Sequence, residues 1–257
     1  MVDTHSHIVY NVDDGAKTIQ DSVQMLKEAQ KAGFTDVILT PHYMEEYYEV
    51  ETKQIQENIQ EIQAELEKQE ITINLYQGNE IYVTSDMNTL IEEKKATTLN
   101  QTRYLLFELP MNTECLNLTE VVYQILSVGK IPIIAHPERY EWVQKDPNRL
   151  IPFIEDGVLF QSNYGSVLGQ YGKKCKDTIK IALQHQMIHF LGSDVHRANH
   201  IYLKIEEATE EIQKWIGKEA FVELSTSNPM CIINDEPIDI KKALIYKETW
   251  FTKFFNK

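Results

Sequence analysis

The sequence predicts an α/β chain wound into a parallel β/α barrel, or a distorted relative of one. Three observations predict it. Apolar runs of strand length alternate with amphipathic helical segments, the pattern of a parallel sheet covered by helices on its outer face. Seven such runs fit into 257 residues, which suits a barrel better than an open sheet. No linker, repeat or low-complexity segment interrupts them. Residues 1–257 therefore read as a single domain, with roughly the last 20 residues, after Pro237, as a C-terminal extension.

Taken in order, Met1–Val9 is a first strand with polar insertions, leading into a turn at Asp13-Asp14-Gly15. Ile19, Val23, Leu26 and Ala29 recur every three or four residues and Gly33 supplies a stop, so a helix follows. FTDVILT is the second strand, and Ile55, Ile59, Ile62 and Leu66 mark the second helix. INLYQGNEIYV and TRYLLFEL are strands, then Leu118–Val128 is a helix closed by Gly129. KIPIIAH is a strand, the segment after Pro147 a helix, and VLFQSN a strand. Lys173–His185 is helical, MIHFLGSD is the last strand, and Ile205, Ala208, Ile212 and Trp215 line a helix ended by Gly217. The chain after Pro237 is less regular. Its end, Thr249–Lys257, is aromatic and basic, and reads first as a terminal helix on the barrel, second as a docking segment.

Composition bounds the function. Hydrophobic residues at 42% and charged residues at 25% give a soluble globular balance. A chain this long buries about 75% of its unfolded surface, so no disulfide staple is required. The formal net charge of −14 argues against nucleic acid or anionic lipid as a partner for a basic surface. No stretch of about 18 apolar residues is present, so no transmembrane segment is expected. The opening MVDTHSHIVYNVDDG lacks the basic and apolar regions of a secretory signal, and a cytoplasmic location is expected. Cys115, Cys175 and Cys231 read as reduced thiols. Six residues after them stand Val121, Ile181 and Pro237, so the Cys-x5-Arg loop of cysteine phosphatases is absent.

The chemistry lies at the strand ends. His5, His7, His42, His136 and His196 stand at or just past the C-terminal end of a strand-like run. Glu80, Glu108 and Asp194 do the same, and Asp14 sits in the loop after the first strand. In a β/α barrel these positions converge on the face where active sites are built. Four carboxylates crowded there without cations would repel one another and be driven to protonate, which implies a metal cluster. His5-x-His7 alone is weak, because strand alternation produces such pairs by chance. It is the coincidence of all these motifs with strand ends that carries the inference. His185, His189 and His200 lie outside these junctions and read as helix or surface residues.

The run of motifs resembles the PHP (polymerase and histidinol phosphatase) superfamily. Within it, the chain is most similar to the bacterial manganese-dependent protein-tyrosine phosphatases of capsule and exopolysaccharide synthesis, the CpsB, CapC or YwqE type. The residues that carry the resemblance are Met1–His7 with Asp13-Asp14-Gly15, Ala135-His136-Pro137-Glu138-Arg139, the QSN-Y-GS-x-LG-x-YG stretch and Gly192-Ser193-Asp194-Val195-His196. It extends over about residues 1–237. The resemblance implies a distorted (β/α)7 TIM-like barrel of the PHP type around three divalent metal ions, manganese first, with iron or zinc also suiting the donors. It implies one ion on His5, His7, Glu80 and Asp194, a second on Glu80, Glu108 and His136, and a third on Asp14, His42 and His196. It further implies a phosphotyrosine-bearing bacterial tyrosine kinase as partner and substrate.

Phosphate-monoester hydrolysis needs an activated water and neutralised phosphoryl oxygens, both of which a metal cluster supplies. Arg139 is the candidate phosphate clamp, since guanidinium geometry matches two phosphate oxygens; its alternative is a structural pair with Glu138 or Glu141. His42 is a candidate proton donor. Asn163 and Tyr164 are candidates for substrate contact, or else a turn residue and a packing ring. Tyr43–Tyr48 should hang over the site. The family usually carries an arginine five residues beyond the last histidine of the motif; here Arg197 follows His196 directly and position 201 is Ile, so Arg197 is the candidate replacement. Rival readings are a PHP phosphatase for a small metabolite such as histidinol phosphate, and a non-catalytic binding module.

Overall fold

The computed structural model describes residues 1–247; Thr249–Lys257 lies outside the described residues. Among the described residues nine strand segments form: β1 (Val2–Asp3), β2 (Asp36–Leu39), β3 (His42–Tyr43), β4 (Asn74–Gln77), β5 (Glu80–Tyr82), β6 (Tyr104–Glu108), β7 (Ile131–Ala135), β8 (Leu159–Asn163) and β9 (Phe190–Gly192). All ladder pairings are parallel, in one sheet of order β1-β2-β4 and one of order β3-β5-β6-β7-β8-β9.

The nine segments make the seven expected staves, because two staves are bent. FTDVILT stops short of Pro41, which has no N–H for a ladder, and the stave continues beyond it as β3. INLYQGNEIYV, expected as one strand, breaks at Gly78-Asn79 into β4 and β5. A Cβ on Gly78 would meet a Leu99 methyl at 2.7 Å, so glycine lets the bend close onto that side chain without displacing it. Each bend moves its stave from the first sheet to the second and delivers a polar residue just beyond it. His42 and Glu80 thereby become register partners across β3 and β5. The ring closes where Ser6 bridges Val195, with the His7 N–H donating to the Val195 carbonyl at 2.9 Å and the Asp194 N–H to that of His5 at 2.8 Å. The result is a distorted (β/α)7 barrel.

Helices α1 (Ile19–Lys31), α2 (Thr52–Lys68), α3 (Met87–Glu92), α4 (Leu118–Ser127), α5 (Glu141–Lys145), α6 (Ile151–Glu155), α7 (Tyr164–Val167), α8 (Lys173–Gln184) and α9 (Ile205–Ile216) intervene between the staves or follow them. Helix α1 starts on a capping box between Thr18 and Asp21, and Gly33 with φ +90° ends it. The stripe Ile55, Ile59, Ile62 and Leu66 buries α2, as its spacing predicts. Two further helices, α10 (Lys218–Val222) and α11 (Asn228–Asn234), flank a π-helical turn at Glu223–Ser227. They were not expected after Gly217.

Inside the barrel Ile38, Leu106, Ile133, Leu159 and Phe190 form a dry plug, packed with Ile232 of α11. With its interior filled by apolar side chains, the barrel confines its polar chemistry to the C-terminal strand ends. Among the described residues no helix is long and apolar enough to cross a membrane.

Candidate metal centre and phosphate site

The first stave places His5 and His7 with both rings fully buried, each ring fixed by its Nδ1. The His7 Nδ1–H donates to Asp13 Oδ2 at 2.7 Å. The His5 Nδ1–H donates to Gln161 Oε1 at 2.7 Å, since the Gln161 amide nitrogen is committed to the Ser162 carbonyl and Asn163 Oδ1. With these tautomers both Nε2 atoms present lone pairs inward, and they lie 3.1 Å apart. Glu80 Oε2 stands 3.1 Å from one and 3.3 Å from the other. Two lone pairs and a carboxylate oxygen converging in a dry pocket repel unless a proton or a cation lies among them. This donor set fits a divalent metal ion.

The other predicted groups gather around Glu80. Its Oε2 is 3.0 Å from His42 Nδ1 and its Oε1 is 2.9 Å from His136 Nε2. Glu108 reaches His42 at 3.5 Å and His136 at 3.7 Å. Asp194 Oδ1 is 3.7 Å from His5, 3.5 Å from His7 and 3.5 Å from His196. Asp14 closes the outer side, 3.5 Å from His196 Nε2 and 3.7 Å from His42 Nε2. Three sets of ligand atoms lie within 4.8 Å of one another: His7, Asp14, His42 and His196; His5, His7 and Glu80; His42, Glu80 and Glu108. These overlap the ligand division implied by the resemblance, with His7 joining the outer set and His42 taking the place of His136 beside Glu108.

Backbone strain aims two of these side chains. His136 (φ 37°), directly after β7, and Asp194 (φ 52°), two residues after β9, adopt the left-handed region, where non-glycine residues are uncommon. Electrostatics divides the carboxylates. Burial disfavours the charge on Glu80, but the His5 and His42 imidazoles outweigh it and hold the carboxyl well below its usual range. Burial, then repulsion from Glu80, pushes Glu108 up to about 8. Burial opposes the charge on His5, but Glu80 and Asp194 lift the ring to about 9. A metal ion entering here competes with protons.

The chain belongs with known proteins that bear on this site. Residues 1–234 match the family described as capsular polysaccharide synthesis, CpsB/CapC. The chain belongs to the CpsB/CapC family. A putative tyrosine-protein phosphatase CapC of Staphylococcus aureus is 34% identical over 196 residues, 76% of this chain and 77% of that one. The tyrosine-protein phosphatase YwqE of Bacillus subtilis is 30% identical over 219 residues, 85% and 86% of the two chains. A crystal structure from work on YwqE of Bacillus subtilis and CpsB of Streptococcus pneumoniae, described as unique metal-dependent tyrosine phosphatases, superposes with a TM-score of 0.91. It shares 29% identity and covers 96% of this chain and 100% of its own.

Against the CpsB/CapC pattern, the remaining candidates divide. Arg139 pairs with neither Glu138 nor Glu141; its Nη1 donates to Asp194 Oδ2 at 3.1 Å. Among the described residues the guanidinium makes no other hydrogen bond. Asn163, expected to meet substrate, is fully buried behind Asp194 and donates from Nδ2 to Oδ2 at 2.6 Å. It holds that carboxylate in place. Tyr164 is buried and packs edge-on against Phe34. Arg197 is exposed and, among the described residues, makes no ion pair with the cluster. Position 201 supplies no cation in its place, because Ile201 is buried in the core. His189 is neither helical nor on the surface: it is buried just before β9, its Nδ1 accepting the Phe160 N–H at 3.0 Å.

Three supporting residues, Asp13, Gln161 and Tyr171, are given no role by the sequence, whereas Tyr48 belongs to the run expected over the site. Asp13 fixes His7 and also accepts the His42 N–H at 3.0 Å; Gln161 fixes His5. Tyr48 stacks on His42, the rings 5.8 Å apart, and Tyr171 lies beneath Arg139. Of the three given no role, Gln161 carries a positional signal, because it alternates with Asn163 along β8 and so shares its inward face.

A pH dependence follows from these groups. His5 and Glu108 are both raised above their unfolded values, so each contributes stability that is complete below the unfolded pKa and lost as pH rises through the folded one. Metal-free protein should therefore melt several degrees lower at pH 9 than at pH 7. With saturating Mn²⁺ that decline should vanish or reverse, because the ion binds the deprotonated donors. Calorimetric scans with chelator and with Mn²⁺ test this, and a metal-free melting temperature that climbs from pH 7 to 9 would refute it.

Proposed function

We propose that this chain is a metal-dependent phosphomonoesterase that hydrolyses phosphotyrosine on a bacterial tyrosine kinase controlling capsular or exopolysaccharide synthesis. It acts as a single cytoplasmic domain. The observation that carries the reading is the convergence of the His5 and His7 Nε2 lone pairs, 3.1 Å apart, on Glu80 at one end of the barrel. The names borne by its CpsB/CapC relatives supply the substrate class.

Three divalent ions, manganese by preference, are assigned to His5, His7, Glu80 and Asp194; to Glu80, Glu108 and His136; and to Asp14, His42 and His196. When bound, such ions supply an activated water near neutral pH and charge neutralisation for the phosphoryl group. The protein's own groups do the rest. Asp13 and Gln161 hold the two inner imidazoles in the tautomer that faces the cluster. Arg139 presents a planar guanidinium, committed at one nitrogen only, to the phosphoryl oxygens. The phenolate leaving group, with a pKa of about 10, needs little acid assistance.

The test is phosphate release from a phosphotyrosine peptide and from histidinol phosphate, each with Mn²⁺ and after chelation. Chelator-sensitive turnover of the peptide is the expected result. Turnover of the metabolite alone overturns the substrate, and turnover of neither leaves a binding module.

A further inference from the structure

We infer that Tyr171 is a positioning residue that holds Arg139 over the site and relieves it at Asp194 when phosphate arrives. The inference rests on the phosphatase reading and deepens it. The guanidinium carbon of Arg139 stands 4.4 Å above the centre of the Tyr171 ring, the arrangement of a cation–π contact. The Tyr171 hydroxyl donates to Asp194 Oδ2 at 3.4 Å, the same oxygen that receives Arg139 Nη1 at 3.1 Å and Asn163 Nδ2 at 2.6 Å. Asp194 is thus divided. Its Oδ1 faces His5, His7 and His196, while its Oδ2 gathers three donors on the Arg139 side.

A phosphate bound by Arg139 in bidentate fashion competes with Asp194 for that guanidinium. If Arg139 left alone, a buried carboxylate oxygen would lose a charged partner. Tyr171 answers both problems. Its ring keeps the cation from swinging away, and its O–H with the Asn163 amide keeps Oδ2 satisfied.

Local sequence builds the placement. Tyr171 lies in the short loop between α7 and α8, flanked by Gly169 (φ 78°) and Gly172 (φ 94°), conformations that a side chain would strain. Hydrogen bonds from the Gly169 N–H to the Ser166 carbonyl and from the Gln170 N–H to that of Gly165, both 3.0 Å, fold the loop back. The buried Glu138, beside Arg139 in sequence, accepts from Ser166 Oγ at 2.6 Å, from Ser162 Oγ at 2.7 Å and from the Asn163 N–H at 3.0 Å. The segment bearing Arg139 and the loop bearing Tyr171 are therefore tied to one another. The LG-x-YG stretch has its purpose here.

The experiment uses the full chain loaded with Mn²⁺ and two readouts: calorimetric binding of inorganic phosphate, and KM and kcat on a phosphotyrosine peptide. Tyr171→Leu should weaken phosphate about tenfold and raise KM similarly, with manganese per chain unchanged. Tyr171→Phe, which keeps the ring, should recover most of the loss. Because Tyr171 acts through Arg139, the double variant Y171L/R139A should bind phosphate no worse than R139A alone. Additive losses in the double variant, manganese loss in Y171L, or phosphate binding by Y171L equal to wild type each overturn the inference. If wild type turns over peptide and Y171L matches it in every readout, only the role of Tyr171 fails. If wild type neither binds phosphate nor turns over any phosphoester, the phosphatase reading falls and takes this inference with it.

Discussion

Glu80→Gln is expected to lower kcat/KM at least a thousandfold and to strip at least one metal ion per chain. A thousandfold corresponds to about 4 kcal/mol of transition-state stabilisation, which no outer-sphere residue ordinarily commands. Glu80 can command it because its two oxygens touch four imidazoles, with His5, His7 and His42 within 3.3 Å of Oε2 and His136 at 2.9 Å from Oε1. It is also 1% exposed, so water cannot replace the lost charge. Glutamine has the same shape, so the barrel should still form and the far-ultraviolet circular dichroism should not change. What changes is the sign of the interaction. One of the inward oxygens becomes an N–H₂ pointing at ring nitrogens, and the counter-charge that lifts His5 to about 9 disappears. His5 should then titrate lower, which nuclear magnetic resonance of the imidazole reads independently of turnover. A variant that keeps its full metal complement and at least a tenth of its activity would remove Glu80 from the centre of the cluster.

The reason the ligands of the cluster were visible in the sequence, while their supporters were not, is geometric. Glu108, His136 and Asp194 sit where apolar staves end, and hydropathy marks such ends plainly, whereas Glu80 opens β5 just past the Gly78-Asn79 break within its stave. Packing alone distinguishes Asp13 from Asp14. They are adjacent, chemically identical and in the same turn, yet one is buried against His7 and the other faces the mouth between His42 and His196. Tyr171 is separated from Arg139 by β8 and the short helices α5, α6 and α7, a distance in sequence that periodicity does not bridge. The bends at Pro41 and Gly78-Asn79 do carry local breaker residues, but that each bend transfers its stave from one sheet to the other is a property of the assembled barrel. Helices α10 and α11 follow a glycine stop, and their role in packing against the base of the barrel has no local signature. The short helix α5 in the AHPER–EWVQK segment likewise owes its existence to tertiary packing of Trp142 and Val143.

Gly15→Ala is expected to be the second most damaging change, and for a different reason. Gly15 has an ordinary φ, so the constraint on it is space. A Cβ there would lie 2.1 Å from the His7 carbonyl oxygen, 2.6 Å from the His7 Cβ and 2.9 Å from Asp13 Oδ1. Two of these neighbours belong to a residue fixed in the closure of the barrel, and the third is the carboxylate that orients it. None is the free end of a flexible side chain, so the turn itself must move. Its present position is set by the Gly15 N–H on Asp13 Oδ1 at 2.8 Å and the Ala16 N–H on the His7 carbonyl at 3.1 Å. Moving it displaces Asp13 and Asp14 together, and with them the tautomer of His7 and the outer ligand set. Overpacking of this kind costs about 1–3 kcal/mol, or roughly 2–12 °C of melting temperature in a domain of this size. Misplacement of the ligands by about 1 Å should lower kcat/KM a hundredfold or more. Gly129→Ala separates these effects. Its Cβ would meet nothing within 4 Å, but its φ of +74° strains any side chain, and it lies at the end of α4 away from the cluster. That variant should lose melting temperature and keep its kcat/KM per folded molecule. Equal losses of stability in the two glycine variants with equal activity would show that the Asp13-Asp14-Gly15 turn positions nothing, and that its glycine serves only the chain reversal.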